Sequence, residues 1–311
     1  MDVLIERCAG LDVHKKTVVA CVRTPGDGKC RRSRVRTFGT TMTGLEALGE
    51  WLGAHGVTHA AMESTGVYWC PVYAVLEERF ALLLVNARHV KNVPGRKTDV
   101  KDSEWLARLL ECGLLKGSFV PPREIRNLRD LTRLRKALVR DRSRQVARVG
   151  KILELANVKL GSGVADIMGV TGRAILEAMV RGEEDPHVLA GLARGSLVRK
   201  RAELAEAVPG LIRDHHRFLL RNHLDTIDHL SGRIEALDER IEAVTRPFAP
   251  ALELLESVPG VKRRAAEAIL AETGDDMSKF PTARHFASWA RVCPGNHESA
   301  GKRRPASTGK P

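Results

Sequence analysis

The chain has 311 residues and 43% hydrophobic content, enough for about two domains of roughly 150 residues each with real cores, which excludes a wholly disordered chain. Lys and Arg number 51 against 38 Asp and Glu, a formal net charge of +13, so a polyanion, first of all nucleic acid, is the expected partner. Scattered cysteines without a C-x-x-C pair or zinc-finger spacing speak against a disulfide scaffold or a structural zinc; with no run of about 18 uncharged apolar residues, the expected setting is the cytoplasm, with no membrane partner.

Up to about residue 120, short apolar runs alternate with helical patterns. The spacing predicts strands over Val3–Asp12, Thr17–Arg23, Arg34–Phe38, His59–Glu63 and Ala81–Val85, and helices over Thr43–His55, Val72–Arg79 and Thr98–Cys112. Gly26-Asp27-Gly28 reads as a hairpin turn. Three early strands followed by strand–helix alternation imply an α/β layer with a mixed sheet.

Beyond Pro121-Pro122 no further strand is evident until the end. Ile125, Leu128, Leu131, Leu134 and Leu138 recur at three- and four-residue steps, and Val149 and Leu153 resume the stripe, which predicts a long amphipathic helix. Ile227, Leu230, Ile234, Leu237, Ile241 and Val244 form a heptad seam, filled either by a helix of the same chain or by an intermolecular coiled coil. Arg246-Pro247 ends that helix. Ser257-Val-Pro-Gly260-Val then resembles the turn of a helix–hairpin–helix, whose amides hold phosphate, or is an ordinary Pro-Gly turn. The stretch Pro294 to Pro311 is too polar to pack by itself. The expected partition is an α/β domain over 1–120, a helical, Arg-rich and coiled-coil region over 121–250, and an α-helical domain over 251–311.

Asp12 and Glu63 each close a predicted strand, and Asp99 and Asp102 stand three apart at the start of a predicted helix. Carboxylates so placed converge on hard divalent cations such as Mg²⁺, and a pair of such ions clamps the oxygens of a phosphodiester under attack. Taken singly, each has an ordinary alternative as a turn residue or a charge at a helix N-terminus. Between Arg123 and Arg148, ten Lys or Arg face three acids, a net +7. Arg126, Arg129, Arg133, Arg135, Arg140, Arg142, Arg144 and Arg148 are the candidate phosphate contacts, reading no sequence; the alternative is a solvated charged face. Aromatic residues make up 4%, so base stacking is not the expected mode. His215-His216 point about 100° apart on a helix and read as structural, and no Gly-rich nucleotide motif follows a strand.

Three runs carry a resemblance: Gly10-Leu-Asp12-Val-His14-Lys-Lys-Thr17, Met62-Glu63-Ser-Thr-Gly66-Val-Tyr68-Trp69, and Lys97-Thr-Asp99-Val-Lys-Asp102-Ser-Glu-Trp105-Leu-Ala107. They resemble the RuvC-like DEDD domain of IS110-family insertion-sequence transposases. The likeness continues through Ser118-Phe-Val-Pro-Pro122, the Arg-rich helix, Ala287-Ser-Trp289-Ala and Cys293-Pro-Gly-Asn-His-Glu-Ser299-Ala-Gly301-Lys-Arg. It implies a RuvC-like (RNase H-like) fold for the first domain, Mg²⁺ held by Asp12, Glu63, Asp99 and Asp102, and Ser299 as nucleophile of a second transposase domain. It further implies recombination of transposon ends and target DNA guided by a structured RNA from the element, by dimers that assemble into tetramers.

Without the resemblance, Ser299 is a loop serine between Glu298 and Ala300. Two departures stand out. Arg291 replaces a small Gly in the stretch Ala-Ser-Trp-Ala-x-Val-Cys-Pro-Gly, and the family continues with a further helical part past the Lys-Arg-Arg that follows the serine. The second domain is therefore expected to be cut short and the activity of this form weak. The other readings are a catalytically inactive relative that still binds nucleic acid, and a RuvC-like structure-selective nuclease that uses water.

Overall fold

The computed structural model describes residues 3–27, 30–64, 66–87, 90, 102–292, 298–299 and 301–303. They divide into two compact units, Met1–Val120 and Pro121–Pro311; the last two predicted regions lie in the second.

The first unit runs β1 (Cys8–Val13), β2 (Thr17–Pro25), β3 (Arg31–Gly39), α1 (Met42–Ala54), β4 (His59–Glu63), α2 (Trp69–Leu76), β5 (Ala81–Val85) and α3 (Asp102–Glu111). The strands form one sheet in the order β3-β2-β1-β4-β5, antiparallel across β1–β2–β3 and parallel across β1–β4–β5. This is the mixed sheet that the alternation predicts. β1 is buried almost throughout, as a central strand covered on both faces must be. On one face Leu11, Ala20 and Met62 meet Leu45, Leu48 and Leu52 of α1 and Val72 and Leu76 of α2. The other face takes α3, through Leu110 against Cys8 and Ala61, and Trp105 and Leu106 against Val85.

α3 lies against β1 because residue 10 is glycine. A Cβ built there would stand 2.1 Å from the Ser103 carbonyl oxygen and 2.4 Å from the Ala107 amide nitrogen, distances that no side chain tolerates. The far end of the helix is held by charge. The Glu111 carboxylate is 4% exposed and meets Arg23 of β2 at 2.8 Å and Arg31 of β3 at 2.5 Å. Between the two anchors the Cys8 thiol donates to the Ala107 carbonyl at 3.4 Å. Burial, with the Glu111 charge second, pushes that thiol up to about 12, so it stays protonated and serves packing, not chemistry.

Three boundaries differ from the predicted ones. The run before Cys8 is not strand: the Leu4 and Ile5 amides donate to the Glu111 carbonyl at 2.9 and 3.2 Å, satisfying the end of α3. β3 starts at Arg31, earlier than predicted, because charged residues on an edge strand mask the alternation. α2 begins at Trp69, since Pro71 sits in the first turn, where no helical N–H bond is lost. Of the helix predicted over Thr98–Cys112, residues 98–101 lie outside those described.

In the second unit, α4 (Arg123–Leu155) is followed by α5 (Leu160–Gly163), α6 (Val170–Val180), α7 (Pro186–Gly191), α8 (Arg201–Ala207), α9 (Asp214–Thr245), α10 (Ala249–Glu256), α11 (Arg263–Thr273) and α12 (Ala283–Trp289), then β6 (Glu298–Ser299) and β7 (Lys302–Arg303). The heptad seam of α9 is filled from within the chain. α4 runs antiparallel to α9, as the pairs Gln145–His223, Arg142–Ser231 and Arg135–Asp238 show. At one end Val149, Ile152 and Leu153 pack with Leu220, Leu224 and Ile227. At the other, Ile125 and Leu128 join Ile241, Leu252 and Leu270 in a core that α4, α9, α10 and α11 share. Leu134, predicted on the apolar stripe, is 43% exposed. Among the described residues no helix is long and apolar enough to cross a membrane.

Two helix ends use left-handed residues. Asn157 (φ 56°) closes α4 and Arg291 (φ 57°) closes α12. At α12 the Arg291 amide bonds the Ser288 carbonyl and the Val292 amide the Ala287 carbonyl, both at 3.1 Å, the paired bonds of a Schellman end. Glycine is the usual residue there, so the Arg291 departure falls on a position whose backbone favours the family's small residue.

Gly10→Ala is expected to destabilise the first unit by about 3 kcal/mol, read as a lower urea midpoint by tryptophan fluorescence. An unchanged midpoint would contradict the close-packing account.

Candidate active site and nucleic-acid interface

β1 and β4 pair in parallel with Leu11 opposite Met62, so Asp12 and Glu63 follow as neighbours at the C-terminal ends of adjacent strands. Leu11 and Met62 point into the core under α1 and α2. Alternation therefore turns Asp12 and Glu63 to the opposite face, the one α3 covers. α3 begins with Asp102, and the Gly10 contact brings its first turn over β1, two residues before Asp12. Asp12 is about a quarter exposed, Glu63 half-buried and Asp102 exposed. Asp99 lies outside the described residues.

Sequence reasoning passed over a neighbour. His14 Nε2 lies 3.1 Å from Asp12 Oδ2, with the imidazole well exposed. Its signal was legible: residues two apart along an extended chain share a face. The group is an array of oxygen donors with one imidazole and no thiolate, a donor set that suits a hard cation such as Mg²⁺. Among the described residues no three His, Cys, Asp or Glu side chains come close enough together to hold a metal ion.

The Arg-rich face of α4 divides in two. Arg129 donates to the Ala271 and Glu272 carbonyls at 3.0 and 2.9 Å, closing the end of α11; burial lowers its pKa, opposed by Glu272. Arg133 makes two bonds to the Glu272 carboxylate at 2.8 and 2.9 Å. Arg135 grips Asp238 of α9, Arg142 donates to Ser231 Oγ at 2.8 Å, and Arg126 donates to the Pro121 carbonyl at 3.1 Å. Arg140, Arg144 and Arg148 are exposed. Among the described residues Arg144 pairs with Asp141 one turn back, at 2.9 Å, and Arg148 reaches Gln145 at 3.5 Å. Arg133, Arg135, Lys136 and Arg140, with Arg264 of α11, line a groove of about 710 Å³ between α4 and α11. Arg140, Arg144 and Arg148 form the outer group of the candidate arginines.

Ser299 stands in β6 opposite Lys302 of β7, a two-residue ladder turned at Gly301 (φ 75°). A tight hairpin thus holds part of the stretch whose polarity predicted no packing of its own. The turn after Ser257 joins α10 to α11, with Gly260 at φ 88°.

Residues 9–158 match a family model described as a transposase, the DEDD domain of IS110 elements. Residues 252–310 match a second, described as transposase of the IS116/IS110/IS902 family. The chain carries transposase domains of the IS110 family. Asp12, Glu63, Asp99 and Asp102 fall within the first match and Ser299 within the second. A curated relative from Pseudomonas aeruginosa, named "Probable family 20 transposase", is 36% identical over 86 residues, 28% of this chain and 25% of that protein. The chain thus aligns with about a quarter of that relative's length.

If the outer arginines carry the phosphate contacts, Arg140→Gln, Arg144→Gln and Arg148→Gln together should lower the salt slope of nucleic-acid binding by about three, with little loss of stability. Arg133→Gln with Arg135→Gln should leave the slope unchanged and cost on the order of 1 kcal/mol. Equal slopes for the two combined variants would erase the division.

Proposed function

We propose that the chain acts as a DNA transposase of an insertion sequence, cutting and rejoining strands through Ser299 under the guidance of an element-encoded RNA. The observation that carries this reading is the pair of IS110 transposase matches in order along the chain, with Asp12 and Glu63 at adjacent strand ends inside the first. A basic protein whose exposed arginines read no sequence suits a system in which base pairing by RNA chooses the site. Dimers that assemble into tetramers would bring the serine segment of one subunit to the carboxylates of another.

Asp12, Glu63, Asp99 and Asp102 would hold Mg²⁺, which when bound supplies positive charge against the phosphodiester oxygens. The Ser299 hydroxyl gives up its proton to solvent water and its oxygen forms a new bond to the scissile phosphorus. The bond from phosphorus to the leaving deoxyribose oxygen breaks, and that oxygen takes up a proton. A deoxyribose hydroxyl of another strand then attacks the phosphoserine diester, restores a phosphodiester and releases the serine. His14, bonded to Asp12, fixes the orientation of that carboxylate.

Denaturing protein in mid-reaction on labelled donor DNA, with matching RNA present, tests this even at low turnover. A covalent adduct is expected with the parent chain and none with Ser299→Ala, which removes only the nucleophile. Asp12→Ala should also form none while binding RNA as before. An adduct that survives Ser299→Ala would eliminate this serine, and DNA cleavage without any adduct would favour a nuclease that uses water.

A further inference from the structure

We propose that the open edge of the sheet is a separate contact for the sugar–phosphate backbone of DNA or RNA, formed by Arg34 and Arg36 of β3 with Arg32 beside them. This rests on the reading of the chain as a nucleic-acid enzyme but concerns a surface built from other residues. β3 is the outermost strand, and six of its nine residues in a row are exposed. Arg32, Arg34 and Arg36 pair with Thr24, Val22 and Ala20, so they share one face with Phe38, which joins the core under α1. The opposite face is electrically closed, because Arg31 is committed to the buried Glu111.

On the open face the charge is not compensated. Arg32 pairs at 2.7 Å with Asp27, itself 95% exposed, a surface contact of little weight. Among the described residues no carboxylate pairs with Arg34 or Arg36. Arg34 Nη1 lies 3.3 Å from His55 Nε2. Because His55 Nδ1 stands 2.7 Å from the Trp51 carbonyl, Nδ1 carries the proton and Nε2 accepts from Arg34. The guanidinium of Arg36 lies 4.9 Å above the Phe38 ring, an arrangement that orders a cation without neutralising it. Arg7 adds a further cation nearby, donating to the His55 carbonyl at 2.9 Å.

The row suits the ligand. Residues two apart on a strand repeat every ~6.8 Å, so the arginines form a regular row of cations that can lie along the phosphates of one nucleic-acid strand. Such a row meets phosphates, with no side chain placed to read bases.

The test compares the full chain with Arg34→Gln/Arg36→Gln, which keeps the stem over Phe38 and removes the charge. Circular dichroism confirms the fold, and the probes are a labelled DNA duplex and an RNA hairpin of arbitrary sequence. For at least one probe, the double variant should bind on the order of tenfold more weakly and its salt slope should fall by about two; the probe that responds names the ligand. Arg34→Lys/Arg36→Lys should restore the slope. Unchanged affinity and slope for both probes would overturn the proposal, as would normal binding by a variant that now self-associates, since the row would then serve to keep the sheet edge from pairing. An unaltered slope alongside a normal serine adduct would sink this surface and leave the transposase reading intact; a parent chain that binds neither probe would end both.

Discussion

Everything about the carboxylate face depends on how closely α3 lies on β1. With a glycine at position 10 the helix backbone sits where a β-carbon would otherwise stand, and the first turn of α3, with Asp102, comes over the strand that ends in Asp12. The other end of the helix is fixed by a buried charge, Glu111, between Arg23 and Arg31. Removing Glu111 would leave both arginines largely buried and without their partner, a loss of several kcal/mol. The two anchors use opposite physics, contact without side chain and charge without water. Between them they set both the height and the direction of the helix.

The same economy of charge runs through the helical unit. Its arginines are numerous enough to suggest a uniform basic surface, yet many are spent inside. Asp238 receives Arg135 and Arg264, and the 2%-exposed Glu267 receives Arg263 and Arg264. These pairs lock α4, α9 and α11 around a small apolar core and lower the charge free to meet a polyanion. On α4, Lys136 and Arg140 stay outward beside the groove and Arg144 and Arg148 further along.

Much of this was legible in the residues, in proportion to how locally each feature is encoded. The run Gly10-Leu-Asp12 at the end of an apolar stretch announced a strand with a carboxylate at its tip, because alternation needs only neighbours. The heptad seam from Ile227 to Val244 announced a helix that must pack, but not on what; its partner α4 lies far away in sequence, and periodicity carries no address. The eight candidate arginines of α4 looked equivalent for the same reason, since Glu272 and Asp238, which engage Arg133 and Arg135, stand more than a hundred residues further along. The purpose of Gly10 was also hidden, because a missing side chain shows its meaning only when the helix that fills the space is present. Ser299 belongs to the opposite class: its surroundings in sequence are those of a turn, and only the resemblance to a family singled it out.

The most direct measurement of the central claim, that the strand-end carboxylates hold a divalent cation, is the binding of Mn²⁺ to the full chain, followed by the loss of its free-ion electron paramagnetic resonance signal. Mn²⁺ stands in for Mg²⁺ at oxygen sites. The account requires binding by the parent chain that weakens by at least about tenfold in Asp12→Asn and again in Glu63→Gln, with both variants folded. Binding that is the same in all three proteins would contradict it.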